Sequence, residues 1–190
     1  MTLVAINGTN FWPLKYGRLE HFFAEDADVI FPYKPAWLPW DVGDLLESID
    51  DHIAEDEPYD VIGFSSGATI AHLLAAKDKR VRLLVASSGL GSRLDFEIRP
   101  DLKVLLTSNE HEKDSMRLAM CQLFMRYREA GADVSMETIY HSQHPAHRFG
   151  PAIPSIQRWV VYRTGEGFPF LDSLVTRCHL EKERAKCQSK

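Results

Sequence analysis

Cysteine is scarce in this chain: Cys121, Cys178 and Cys187 are the only three in 190 residues. Thiols so few and so scattered cannot build a disulfide framework, and they read as reduced side chains of a cytosol-like compartment. Long apolar runs are missing too. No stretch reaches the length of about 18 apolar residues that a membrane span requires. The start, Met1 to Asn10, has neither a basic nor an apolar leader segment, which argues against a signal peptide and for a cytoplasmic location. Positive charge shows no excess, with 22 Lys and Arg against 27 Asp and Glu and a net charge of −5. The basic residues are scattered rather than striped, so no nucleic-acid footprint is expected. Neither the dinucleotide fingerprint G-x-G-x-x-G nor the phosphate loop G-x-x-x-x-G-K-[ST] occurs. Repeats and low-complexity tracts are absent as well.

What is present is ordinary globular material. Apolar residues make up 45% and charged residues 26%, enough for one well-packed core and against intrinsic disorder. The composition shifts once, at Gly165, Gly167 and Pro169. One domain over residues 1–164 is expected, followed by an extension over 165–190 with a short helix and a polar tail.

Two periodicities alternate along that domain. Apolar, β-rich runs at Thr2–Asn7, Asp28–Pro32, Asp60–Phe64, Arg82–Ser87, Lys103–Ser108 and Val134–Tyr140 read as strands buried on both faces. Between them, Val42, Leu45, Leu46, Ile49 and Ile53 mark one face of a helix, as do Met116, Ala119, Met120, Leu123, Phe124 and Tyr127. Residues 66–77 are apolar nearly all round, which suits a helix packed on a sheet. Pro154, Ile156, Trp159 and Val160 indicate one more helix, with proline in its first turn. Strand and helix in alternation predict a three-layer α/β/α architecture on a six-stranded, mostly parallel sheet.

The chemistry-bearing motif is Gly63-Phe64-Ser65-Ser66-Gly67, a G-x-S-x-G. Random order at this composition yields roughly 0.04 such matches per chain, so the pattern alone is moderate evidence. Its setting adds more, because a buried strand runs in and an apolar helix runs out. A nucleophilic serine needs that sharp strand–turn–helix elbow to expose its hydroxyl, and the flanking glycines let strand and helix approach closely. A plain βα turn of small residues is the bland alternative.

With this motif the chain resembles the α/β-hydrolase family, and three further segments carry the likeness. Val4-Ala-Ile-Asn-Gly-Thr-Asn-Phe stands where the family has a strand followed by an oxyanion loop, with Asn7 in place of the usual His. The resemblance implies backbone N–H donors at Thr9 and Ser66 for a developing oxyanion. In Lys103-Val-Leu-Leu-Thr-Ser-Asn-Glu-His-Glu-Lys-Asp, Asn109 takes the family's glycine position and Glu112 that of the orienting acid. Glu110 and Asp114 are rivals, Asp114 having an alternative part as N-cap of the next helix. In Tyr140-His-Ser-Gln-His-Pro-Ala-His-Arg-Phe-Gly, His147-Arg148-Phe149 matches the family's His-x-Phe, with His144 as the alternative base. Three histidines so close also invite a metal, but Pro145 interrupts them and no ligand motif adjoins, so no metal or cofactor is expected.

The order Ser65, Glu112, His147 is that of an α/β-hydrolase triad. The implied fold is a truncated one that starts at the family's third strand and lacks a cap domain, since Ser88–Asp101 is too short to hold one. Aromatics after the first two strands, Phe11 and Trp12 above all, would line the substrate crevice together with Phe64. The resemblance implies a serine hydrolase acting on carboxylic esters or thioesters, with an open site for short acyl groups or exposed polymer esters. A non-catalytic binding module on the same fold is the alternative, because fold does not dictate function. Neither reading involves nucleic acid or membrane, and the oligomeric state stays open.

Overall fold

The computed structural model describes residues 2–6, 29–30, 41–88, 95–110 and 112–139. Within them, elements follow one another as β1 (Thr2–Ile6), β2 (Val29–Ile30), α1 (Val42–Asp50), β3 (Tyr59–Phe64), α2 (Ser66–Lys77), β4 (Val81–Ser87), β5 (Lys103–Asn109), α3 (Asp114–Glu129) and β6 (Asp133–Ile139). The six strands form one sheet in the order β2-β1-β3-β4-β5-β6, and every pairing is parallel. The expectation of a mostly parallel sheet is thus met without an antiparallel member among the described strands. The expected helix at Pro154–Val160 and the extension 165–190 lie outside the described residues.

Alternation along the strands assigns the two faces. Val4, Ile6, Val61, Leu84, Ala86, Val104 and Leu106 join the core formed with α1, α2 and α3. Leu3, Ala5, Ile62, Leu83, Val85 and Leu105 point the other way and are fully buried too. A sheet buried on both faces accounts for strands without polar alternation.

Local chemistry sets the helix ends. Asp41, in extended geometry, caps α1 by accepting a hydrogen bond from the Gly43 N–H at 2.6 Å. The apolar spacing through Ile53 outlasts the helix, which stops at Asp50; Ile53 reaches the core from the following turn. α3 begins at Asp114, with Lys113 at the cap position. Asp114 is therefore not the cap its sequence position indicates. It occupies the first helical position, favourable to the helix dipole, and pairs with Arg117 one turn on.

Ion pairs gather where the strands begin. The Arg82 guanidinium forks onto Asp60 at 3.0 and 2.8 Å, and burial pushes the Asp60 carboxyl up while Arg82 opposes the shift. Nearby, Tyr59 donates to Asp78 at 2.7 Å and Arg80 binds both Asp78 and Asp50. Burial raises Asp78, but its bonds from Arg80 and Tyr59 outweigh that and hold it below the usual carboxylate range. These charges staple the amino ends of the strands. They leave the carboxyl ends for other work.

No described helix is long and apolar enough to cross a membrane.

Candidate active site

The sheet has one topological switch point. From β1 the chain goes to β2 on one side and then to β3 on the other, so the switch point, where sheets of this kind ordinarily bind ligands, falls at the carboxyl ends of β1 and β3. Ile6, the last residue of β1, pairs with Gly63 of β3, two residues before Ser65. The carboxyl end of β1 therefore lies beside the turn that carries the serine.

That turn is strained. Ser65 has φ 56° and ψ −122°, a conformation that an L-residue rarely adopts and that costs about 1–3 kcal/mol. A serine just before a helix ordinarily has an extended backbone and gives its oxygen to a first-turn N–H. Ser65 occupies the cap position of α2 yet makes no such bond, although its carbonyl accepts from Ala68 at 3.0 Å. The hydroxyl is withheld from the helix. The serine N–H donates to the Ser87 carbonyl at 2.8 Å, which ties the strained turn to β4.

Gly63 shows why the turn can be so tight. A Cβ there would stand 2.6 Å from the Ala68 Cα, 2.6 Å from the Gly67 carbonyl and 2.7 Å from the Ala71 Cβ. Two of those atoms are backbone and cannot swing aside. The close approach of β3 and α2 requires glycine, and it presses the start of α2 directly beneath Ser65. Ser66 is the first residue of α2, where N–H groups point out of the helix start and favour negative charge. Phe64 is buried in the sheet just before the serine.

The acid candidates separate by burial. Glu112, three residues past β5, is 6% exposed and its Oε1 is buried without a hydrogen-bond partner among the described residues. Asp114 is solvent-exposed and engaged with Arg117. Glu110 is half-buried. β5 stands two strands from β3, a lateral spacing of about 10 Å between the two strands, and Glu112 follows β5 by three residues. The base candidates His147 and His144, the Thr9 donor, and Phe11 and Trp12 lie outside the described residues.

Sequence reasoning missed two polar groups near the serine. Ser88, which follows β4, has φ 55°, and its N–H donates to the Thr107 carbonyl at 2.8 Å. Thr107 is fully buried and its Oγ1 has no partner among the described residues, an omission that costs about 1–3 kcal/mol for a hydroxyl. A signal was available: β3, β4 and β5 each run into a pair of hydroxyl residues.

A parallel sheet of this order, with a strained serine turn at its switch point, is the fold of α/β-hydrolases. The family model described as "Serine hydrolase (FSH1)" matches residues 40–117, a span that includes Ser65 and Glu112. Among solved structures, the chain is similar to an esterase from Pyrococcus furiosus at 16% identity, over 92% of this chain and 81% of that one, TM-score 0.57. A Bacillus cereus carboxylesterase aligns at 14% identity over 83% and 86% of the two chains, TM-score 0.59. A protein of unknown function from Agrobacterium tumefaciens aligns at 15% identity over 85% and 90%, TM-score 0.58. No curated protein sequence matches the chain.

Proposed function

We propose that the chain is a serine hydrolase of carboxylic esters or thioesters, with Ser65 as nucleophile, Glu112 as orienting acid and His147 as general base. The observation that carries the reading is the strained backbone of Ser65, which keeps the hydroxyl out of the cap bond the position would otherwise favour. Strain of this kind persists where the surroundings over-determine it, commonly at catalytic positions.

The chemistry runs in two halves. The Ser65 Oγ attacks the ester carbonyl carbon as its proton passes to His147. The tetrahedral oxyanion is met by the backbone N–H groups of Thr9 and Ser66. Collapse breaks the bond to the alcohol or thiol, which leaves with the proton from His147, and an acyl-Ser65 ester remains. Water then attacks that ester with His147 again taking the proton, releasing the acid and restoring the serine. Glu112, buried with one oxygen unsatisfied among the described residues, is suited to hold the ring and stabilise its charge.

The β4–β5 connection supports an open site, with short acyl or exposed polymer esters as substrates. Arg99 in it donates to the Asp78 carbonyl at 2.8 Å, and Phe96 packs on His72 and Tyr127. So pinned, the described part of this connection, residues 95–102, packs on the body of the domain. The test is labelling with a fluorophosphonate probe. Wild type should label and Ser65→Ala should not; equal labelling of the two sinks the assignment.

A further inference from the structure

We infer that the outer face of α3 is a docking seam for a second copy of this chain, the two α3 helices lying antiparallel about a twofold axis near Cys121.

A helix packed on a sheet needs one apolar stripe, and α3 has two. The inner stripe, Ala119, Met120, Leu123 and Tyr127, is buried in the core. At about 100° per residue, the opposite side carries Asp114, Leu118, Cys121, Met125 and Arg128, in alternating steps of four and three. That spacing is the narrow seam by which helices pair with helices. Its three middle side chains are apolar and face solvent: Leu118 is 60% exposed, Met125 is 50% exposed, and Cys121 is exposed between them. The other large hydrophobic left exposed among the described residues is Met136. It lies on β6, the strand next to α3, and its register with Leu106 places it on the side of the sheet that α3 covers. Single exposed apolar residues need no partner, but these three gather on one flank.

Charge selects the occupant and its direction. The seam ends in Asp114 and Arg128, seven residues either side of Cys121, with Lys113 and Glu129 just beyond. Parallel copies would set Asp114 against Asp114 and Arg128 against Arg128. Turned antiparallel about Cys121, each copy's Asp114 meets the partner's Arg128, and each Lys113 meets the partner's Glu129. Opposite charges then close both ends of the apolar middle, and the helix dipoles run head to tail. The Asp114 side chain stays 94% exposed while paired with Arg117, so its carboxylate can accept from a second guanidinium. Arg128 is exposed and lies over the Phe124 ring, beside the seam. A surface that complements itself under a twofold rotation is what an isologous dimer requires. The strip is about 24 Å long and 10 Å wide, well below the ~800 Å² per partner of a standard interface. The dimer is accordingly weak and forms with rising concentration.

Sedimentation equilibrium of the reduced full chain, from micromolar to several hundred micromolar, tests the proposal. A monomer–dimer equilibrium is expected. Leu118→Glu and Met125→Glu should each weaken it by about tenfold or more with little change in urea midpoint, since both side chains face solvent. Asp114→Lys and Arg128→Glu should each weaken self-association by setting like charges together. An equimolar mixture of those two variants should regain it, because the new lysine faces the new glutamate while the unchanged Arg128 and Asp114 pair across the other end. A chain that stays monomeric throughout the range overturns the proposal. So does a dimer that survives both apolar-to-glutamate substitutions, or a mixture that associates no better than either charge variant alone.

Discussion

The Nδ1 of His72 lies 2.8 Å from the hydroxyl of Tyr127, and this bond links the helix that follows Ser65 to the helix that follows Glu112. Both side chains are buried, and Phe96 stacks on the imidazole at 5.8 Å between ring centroids. Arg126 lies over Phe96 and donates to its carbonyl, which holds the β4–β5 connection in the same clip. The Nε2 of His72 has no hydrogen-bond partner among the described residues.

Acid should therefore weaken the protein through His72. Burial, with the Arg126 charge adding to it, pushes the imidazole down to about 3, whereas an unfolded histidine titrates near about 6.5. The unfolded state binds the proton first. Stability is full above pH about 6.5 and falls by up to about 1.4 kcal/mol per unit as the pH drops from there towards 3. Among the described residues, Tyr127, whose hydroxyl burial pushes up and out of that window, and the Arg126 charge of α3 face the ring. Urea midpoints measured from pH 7 to pH 4.5 should fall less steeply in His72→Phe than in wild type. Parallel curves would remove His72 as the cause.

Gly63→Ala should destabilise the fold by at least about 1–3 kcal/mol, because the new methyl meets backbone at 2.6 Å on two sides. It should also slow fluorophosphonate labelling, since any relief must move the start of α2 away from Ser65. A variant within about 0.5 kcal/mol of wild type by urea unfolding would mean that the β3–α2 approach is looser than described.

The strain at Ser65 has its own signature. Ser65→Gly and Ser65→Ala both remove the hydroxyl, but only glycine adopts φ 56° without cost. Ser65→Gly should be the more stable of the two by about 1 kcal/mol, despite the greater freedom of its unfolded chain. Equal stability, or alanine ahead, would show that the turn stores no strain.

Kinetics on one short aryl ester should sort the acids and bases. Glu112→Gln and His147→Ala are each expected to lower kcat by about 10⁴-fold, with Asp114→Asn and Glu110→Gln within a few-fold of wild type. An inactive His144→Ala beside an active His147→Ala would exchange the two histidines.

Much of this was legible because buried parallel strands and sheet-packed helices write their periods plainly. Residues 66–77 read as a helix, and Ser66–Lys77 is one. The elbow was legible because its glycines and serine are needed at fixed offsets. Helix ends were less so. Ile53 keeps the apolar spacing of α1 although the backbone has already turned, and Asp114 looks like a cap while sitting inside its helix. Neither Thr107 nor Ser88 stood out, since a hydroxyl in a strand looks like a β-former or a turn residue until its burial and backbone angle are known. His72 was likewise hidden, one polar letter in an otherwise apolar helix.

The pairing of β1 with β3 joins Thr2–Ile6 to Tyr59–Gly63, and β2 and α1 intervene in the chain. Contacts so distant in sequence close slowly, because the loop entropy is lost before the ladder repays it. The turn at Ser65 gains its geometry only when β3 is flanked on both sides, by β1 and by β4. During refolding from denaturant, secondary structure should return first and nucleophilicity last, so that the serine itself times the completion of the sheet.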